Sequence, residues 1–441
     1  MSTRASIKAF LAKARAALAA APPKRPVPLT FVVGNESADL DSLCSALLLA
    51  YFHTYAPPTE RAAVSGGNQS ADSLHVPVCH LRRQDLALRP EFAAVLRAAD
   101  VRSEDVLTLE DVLPRDLAGD RGLQPEETRW LLVDHNAMTG PLSRAFGARV
   151  VGCVDHHADE DAVPRDAEIR VIEESGSCAS LVLEHCAGAW NALGAGGGGD
   201  RDGVAEGALI DAQLARLALA PILIDTTNLR DESKTTAHDE RAVALAEAKI
   251  RAYADATGDD VEQYDRDAYF KRISALKEDI ADMSFRDVFR KDYKEWEVDD
   301  LVLGTSSVPQ GFDYLVDAKA GGDTAAFLSE LGSWGAEKNM DLVVVMTTFN
   351  DEDGRFSREL LVWARTDKGA RAAKLFAENN QESLQLDTWG AGKLDQDDGT
   401  DRASRATTGW CRCWRQGALE HSRKQIAPML RDALSEVSGT A

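Results

Sequence analysis

Three short apolar runs in this chain each break off into a cluster of carboxylates, amides and imidazoles, and that repeat narrows the folds open to it. "LTFVVGN" leads into Asn35, Glu36, Asp39 and Asp41. "RWLLVDHNA" carries Asp134, His135 and Asn136, and "ARVVGCVDHHAD" carries Asp155, His156 and His157. Helical patterns lie between the runs. Leu40, Leu43, Leu47 and Tyr51 recur at helical spacing, and "CASLVLEHCAGAW" near 178–190 does the same. Short apolar strands alternating with amphipathic helices predict an α/β fold built on a parallel sheet. In such sheets ligands sit beyond the carboxyl ends of the strands, and at least three of the polar turns belong at that edge. A fourth apolar segment, "LALAPILIDTTNL", reaches Asp225. It reads equally as a strand or a buried helix, because periodicity does not separate the two in so short a run.

A chain of 441 residues has room for two or three domains with their own cores. We place the first at 1–245, a polar helical linker at 246–264, and a smaller α/β domain with a mixed sheet at 265–441. In the latter, "DAYFKRISALKEDIADM" reads as helix, "DLVLGTSS", "MDLVVVMTTF" and "RELLVWART" as strands, and the end as a helix opened by Pro428. "GAGGGGDRDG", 194–203, reads as a flexible insertion. The first 25 residues hold six basic residues and no acidic one, with Ile7, Phe10, Leu11, Ala14 and Leu18 on one helical face. We read them as an amphipathic helix packed on the domain, a mitochondrial transit peptide being the alternative. Seven cysteines in so long a chain point to a reducing, cytoplasmic setting rather than a disulfide framework. The pair Cys411 and Cys413 lacks the partners of a zinc site. The net charge of -22 argues against nonspecific binding to nucleic acid or an anionic membrane.

Any one of these acidic residues alone reads as a turn or helix cap. Their recurrence at four turns reads differently. Carboxylates brought together repel one another unless cations lie between them. Oxygen-rich ligands with one or two imidazoles suit Mg²⁺ or Mn²⁺, and shared carboxylates suit two metals, an arrangement used for phosphoryl transfer. Between 402 and 424, Arg402, Arg405, Arg412, Arg415, Arg423 and Lys424 face one acidic residue, Glu420, a local reversal of charge suited to an anionic chain. "FRDVFRKDYKEW" adds Arg286, Arg290, Lys291 and Lys294, interleaved with acids and read as paired on a helix.

"NESADLDS", "DHN", "DHH" and "IDTTNL" resemble, in order and spacing, the four motifs of the DHH phosphoesterase family, and "HSRKQIAPML" resembles the phosphate-binding motif of the domain that accompanies them. Within the family the chain is most similar to the cytosolic exopolyphosphatases, whose relatives are the prune proteins and family II inorganic pyrophosphatases. The resemblance implies that Asp39 binds one metal and Asp41 the other. Asp134 would bridge both, and His156 and Asp225 would complete the second metal's shell. Mg²⁺ is the first choice, with Mn²⁺ or Co²⁺ as alternatives. The resemblance implies that His157 faces the phosphate, that Asp155 orients its neighbours, and that Lys234, Arg423 and Lys424 contact substrate; Asn35 in the first turn and Arg412 and Arg415 in the basic segment are read as further substrate contacts. Asparagine at 35, where family II pyrophosphatases have histidine, together with His157, where prune proteins have arginine, favours an exopolyphosphatase acting on inorganic polyphosphate. The rival readings are a pyrophosphatase or short-chain nucleotide phosphodiesterase of the same superfamily, and an interaction protein with a degenerate site.

Overall fold

Strand β1, Leu29–Val33, is buried at every residue, which is why it reads as an unbroken apolar run. It pairs in parallel with β2, His75–Val78, on one side and with β3, Thr128–Val133, on the other. β4, Val150–Asp155, and β5, Ile169–Ile172, extend the sheet to give the all-parallel order β2-β1-β3-β4-β5. In this order the chain turns one way after β1 and the other way from β3, and the crevice between those two strands is where doubly wound sheets bind ligands. The computed structural model describes residues 4–20, 24–25, 27–57, 60, 74–113, 123–195, 201–257, 264–351, 353–397 and 409–439.

The three apolar runs are β1, β3 and β4. The fourth is not a strand but the end of the helix Arg201–Asp225. It is apolar on most sides because it packs against the helices Leu40–Tyr55, Cys178–Ala195 and Ala237–Thr257. Its portion Gly203–Asp225 is long and apolar enough to cross a membrane, yet 67% of the apolar window is buried inside the unit, the setting of a core helix. Of the expected insertion, 196–200 lie outside the described residues, and from Arg201 the chain is helical. β2 and β5 were not anticipated. Both are four-residue edge strands, and Pro77 in β2 is tolerated at an edge.

The first helix, Ile7–Ala19, buries Ile7, Phe10, Leu11, Ala14 and Leu18. Phe10 meets Tyr51 and Tyr55 edge-on at 5.5 and 5.9 Å, and the Tyr51 hydroxyl donates to the Ala5 carbonyl at 2.6 Å. This is a piece of the core, as the amphipathic reading expects.

The chain divides into two compact units, Met1–Lys277 and Glu278–Ala441. The expected linker 246–264 does not separate them. Residues 246–257 continue the helix Ala237–Thr257, with Ala246 and Ile250 in the first unit's core, and 258–263 lie outside the described residues. The helix Arg266–Glu278, assigned from sequence to the second domain, also buries Tyr269 and Ile273 in that core. The polar outer faces of both helices hid their narrow apolar stripes.

The second unit has a seven-stranded mixed sheet along β11-β12-β10-β8-β7-β6, with β9 paired to β10. Its members are β6 (Tyr293–Val298), β7 (Leu301–Val308), β8 (Leu342–Thr347), β9 (Phe349–Asn350), β10 (Phe356–Ala364), β11 (Leu386–Thr388) and β12 (Cys411–Gln416). Only β7 and β8 run parallel. Strand alternation divides the core in two. Leu342, Val344 and Met346 of β8 face one cluster, and Val343 and Val345 face the other. Cys411 and Cys413 both fall in the second cluster, and all seven cysteines of the chain are free and buried. Lys294, read as helical, lies on β6, whereas Arg286 pairs with Glu337 and Arg290 with Asp287. The last helix, Arg423–Ser438, opens earlier than Pro428, because Ser422 and Gln425 form a capping box that outcompetes proline as the start.

If the first helix belongs to the core, Phe10→Ala should destabilise the first unit by about 3–5 kcal/mol. Calorimetry would show this as a lowered transition for that unit, and an unchanged transition would mean that the helix is dispensable.

Candidate metal centre

The turn after β1 is built around a close approach. A Cβ on Gly34 would lie 2.3 Å from Ser42 Cβ, so only glycine lets Ser42 this near the strand end. The Ser42 hydroxyl accepts from the Asn35 amide N–H at 3.1 Å and donates to Asp134 Oδ2 at 2.6 Å. Asn35 Oδ1 accepts from the Ser37 and Ala38 N–H groups at 2.9 and 3.3 Å, while its Nδ2 donates to Asp134 Oδ2 at 2.7 Å. Its amide oxygen is therefore engaged by the turn, and its link to the site runs through Asp134. Asp39 caps the helix Leu40–Tyr55, its Oδ1 accepting from Ser42 N at 3.1 Å.

Asp41 is buried one residue inside that helix and holds a second one. Its Oδ1 accepts from Ser177 Oγ and Ala179 N, both at 2.8 Å, and from Ser45 Oγ at 3.2 Å, while Oδ2 accepts from Cys178 N at 2.6 Å. A carboxylate thus sits at the amino end of the helix Cys178–Ala195, where backbone N–H groups and the helix dipole favour it. Burial nevertheless pushes Asp41 well above the usual carboxylate range, and Asp134 and Asp225 add to the push. Oδ2 has one donor only and lies 3.9 Å from His156 Nε2.

Asp134 ends β3 with φ +61°, a left-handed conformation unusual for a residue with a side chain. Its N–H is taken by the Val154 carbonyl at 3.1 Å and by Cys178 Sγ at 3.2 Å, which fixes that backbone. Asp134 Oδ1 lies 3.2 Å from His156 Nε2 and 3.8 Å from His157 Nδ1. Donor atoms of these three residues all fall within 4.8 Å of one another. Burial would raise the Asp134 carboxyl, but the hydrogen bond and charge of His156, with help from His157 and Ser42, hold it below its ordinary range.

β4 delivers the next group. Asp155 is fully buried. Its Oδ1 accepts from the His156 N–H and from His157 Nδ1, both at 2.8 Å, and its Oδ2 accepts from Asn136 Nδ2 at 2.6 Å. The His156 and His157 rings meet edge to face with centroids 4.5 Å apart. His156 Nδ1 donates to the Ser175 carbonyl at 2.9 Å, which leaves Nε2 as the nitrogen facing the carboxylates. Burial alone would lower this imidazole, but Asp134 and Asp41 outweigh it and raise it to about 10.

Asp225 closes the helix Arg201–Asp225, followed by Thr227, Asn228 and Leu229 with φ of +51°, +60° and +60°. Burial pushes Asp225 up to about 7. Lys277 opposes this, Asp39 and Asp134 reinforce it, and His156 opposes it. Asp134, His156 and His157 are the donors brought within reach of one ion, and the carboxylates of Asp39, Asp41 and Asp225 around them suit a hard divalent cation.

Residues 30–222 match the DHH family, N-terminal domain, and residues 271–433 match the DHHA2 domain. A Schizosaccharomyces pombe protein provisionally named an exopolyphosphatase is 30% identical over 93% of this chain and 92% of its own length. The chain belongs to the DHH family. Its rat relative, named Exopolyphosphatase PRUNE1, is 25% identical over 92% of this chain and 76% of its own length. Among solved structures, a Methanococcus jannaschii protein provisionally described as a family II inorganic pyrophosphatase aligns with a TM-score of 0.49 and 17% identity, covering 92% of this chain and 99% of that one.

The expected phosphate-binding residues of this DHH-family chain are placed as follows. Lys234 lies on the turn after the Asp225 helix, half exposed and 3.2 Å from Asp231. In the second unit, Arg423 is bonded to the carbonyl and carboxylate of Asp292 at 3.1 and 2.8 Å, with Lys424 next to it in the first turn of the helix. Arg412 is tied to the Gln396 carbonyl at 2.9 Å and to Asp397, whereas Arg415 is exposed and stands opposite Glu359 in the β10–β12 ladder. Three residues apart on one strand, Arg412 and Arg415 project from opposite faces, so the basic segment is not one continuous patch. Arg402 and Arg405 lie outside the described residues.

Sequence reasoning missed the residues that hold the ligands: Ser42, Ser175 and Ser177, and also His80, Arg89 and Asp239. His80 donates from Nδ1 to the Gly34 carbonyl at 3.1 Å, and buried Arg89 donates to the Ser37 carbonyl at 2.7 Å, so both brace the first turn. A strand assigned to "HVPV" would have exposed His80 as a further edge residue. His135, the middle of "DHN", is a half-buried residue whose ring is pushed down to about 4 by burial, with Nδ1 donating to the Val133 carbonyl at 2.9 Å.

Because Asp134 and Asp41 favour the charged form of His156 and raise it to about 10, a divalent cation bound at Nε2 must displace that proton. At about pH 8 binding should release about one proton per chain from this site, and apparent affinity should rise with pH toward that value. Calorimetry in buffers of different ionisation enthalpy measures the release, and His156→Gln should reduce it.

Proposed function

We propose that this chain is a metal-dependent exopolyphosphatase that removes terminal orthophosphate from inorganic polyphosphate. The observation that carries the reading is the gathering of Asp39, Asp41, Asp134, His156 and Asp225 at the carboxyl edge of the first sheet, with His157 hydrogen-bonded to Asp155 beside them. The exopolyphosphatase names of the relatives support polyphosphate over other phosphoryl substrates. Two divalent cations held there, Mg²⁺ first and Mn²⁺ or Co²⁺ as alternatives, would supply a water of lowered pKa and shield phosphoryl oxygens.

The residues divide the remaining work. Asp39 and Asp41 would hold different cations, Asp134 would be shared by both, and His156 and Asp225 would complete the second. Asp155 takes the His157 Nδ1 proton, so His157 Nε2 is the nitrogen left to face the phosphate. Asn35 holds Asp134 rather than touching substrate. Lys234 neutralises phosphate beside the metal centre, and in the second unit Arg423, Lys424 and the exposed Arg415 supply positive charge for substrate phosphates, with Arg412 on the opposite face of β12 from Arg415.

The deciding experiment is orthophosphate release from polyphosphates of graded length and from pyrophosphate, beside nucleoside monophosphate formation from a cyclic nucleotide, with each of the three cations. Turnover of long chains should exceed turnover of the other two. Preference for pyrophosphate or the nucleotide would transfer the assignment to the rival hydrolases, and no release from any substrate would favour a non-enzymatic protein.

Asp134→Asn should cost at least about 10³ in rate, several kcal/mol of lost charge stabilisation, with the fold retained. Near-normal turnover would remove Asp134 from the reaction. Arg415→Gln should raise KM for long polyphosphate by roughly tenfold, or about 1.4 kcal/mol, and leave kcat and triphosphate hydrolysis nearly unchanged. If KM stays independent of this arginine at every chain length, β12 does not track substrate.

A further inference from the structure

Asp239 lies outside the four motifs, in the first turn of the helix Ala237–Thr257, and is completely buried. Its Oδ2 accepts from Gly176 N at 2.9 Å and from the N–H and hydroxyl of Thr236, both at 2.8 Å. Its Oδ1 accepts from Ser180 Oγ at 2.7 Å and Ser177 N at 3.2 Å. One carboxylate thereby joins three pieces of chain: the loop before the helix Cys178–Ala195, the helix itself, and the turn that follows Lys234.

That loop aims two of the candidate ligands. Its Ser175 carbonyl receives the His156 Nδ1 proton, and its Ser177 hydroxyl, Cys178 N–H and Ala179 N–H hold Asp41. The packing behind it leaves no slack. A Cβ on Gly176 would lie 2.5 Å from Thr226 Cγ2, 2.9 Å from Asp239 Oδ2 and 2.9 Å from the Lys234 carbonyl. The loop is gripped by Asp41 from one side and Asp239 from the other, and it rests directly on the segment between Asp225 and Lys234.

We propose that Asp239 is a positioning residue for the metal centre, fixing the Ser175–Ala179 loop so that His156 and Asp41 point at the cation site, and tying that loop to the turn bearing Lys234. The inference rests on the metal-centre reading given above. Partners at this remove from a metal typically change its affinity by about 10–100-fold when lost.

Asp239→Asn tests it without a change of size. Both carboxylate oxygens face a backbone N–H, so whichever way the amide turns, its –NH₂ meets a donor and cannot bond. The measurement is Mn²⁺ binding to the purified full chain by electron paramagnetic resonance, at a temperature where each variant is folded by circular dichroism. Phe10→Ala serves as a destabilised control remote from the loop. Wild type and Phe10→Ala should bind alike, and Asp239→Asn at least about tenfold more weakly. Wild-type affinity in Asp239→Asn overturns the proposal and leaves the metal centre standing. Equal weakening in both variants also overturns it, because the effect would then be general loosening. No Mn²⁺ binding by wild type overturns the metal centre and this inference together. Should Asp239→Asn fail to fold, Ser180→Ala removes one of the five bonds, and an affinity equal to wild type there overturns the proposal.

Discussion

Repulsion among buried carboxylates is the constraint from which the first unit's architecture follows. Asp41, Asp134 and Asp225 each feel at least one neighbouring carboxylate, and burial raises the charging cost of all three. Such a group survives only if donors are arranged in advance to meet it. Asp41 receives four, Asp134 receives an amide and a hydroxyl, and Asp39 meets the first turn of its own helix. The imidazolium of His156 carries the positive charge that the donors do not. The left-handed backbone at Asp134 and the two glycines that admit no Cβ are the steric cost of bringing those donors close.

The support is layered. A ring of serines, Asn35 and Asn136 touches the carboxylates, and Arg89, His80 and Asp239 hold the segments carrying that ring. The helix Leu40–Tyr55, buried along its whole length, connects this arrangement to the hydrophobic core, and its far end packs on the first helix through Tyr51 and Tyr55. The candidate ligands are thus held by residues that lie one contact behind them.

Much of the fold was legible because parallel strands buried on both faces leave unmistakable apolar runs, and because a residue such as Asp134 must follow such a run to reach the edge. The first helix was legible from the spacing of Ile7, Phe10, Leu11, Ala14 and Leu18. The edge strands were not, since "HVPV" and "IRVI" are too short to show a period. The unit boundary was misplaced because Ala246, Ile250, Tyr269 and Ile273 make a narrow stripe in polar helices. Pro428 misled because a proline suits a helix start, yet the Ser422–Gln425 box offered paired hydrogen bonds five residues earlier. The ligand set could be proposed from the resemblance of its turns to the DHH motifs, but the supporting serines and Asp239 could not, because serine and aspartate are equally common in ordinary turns.

The ends of three helices meet at this site. The helices opening at Leu40 and Cys178 bring their amino termini to Asp39 and Asp41, and the helix closing at Asp225 brings its carboxyl terminus. Peptide dipoles there add positive potential behind two carboxylates and negative potential behind the third. The field a cation meets is therefore polarised across the site by the main chain itself. Side-chain substitution leaves that gradient in place, so the two cation positions of the proposed centre should remain unequal in affinity even in variants whose ligand carboxylates have been exchanged.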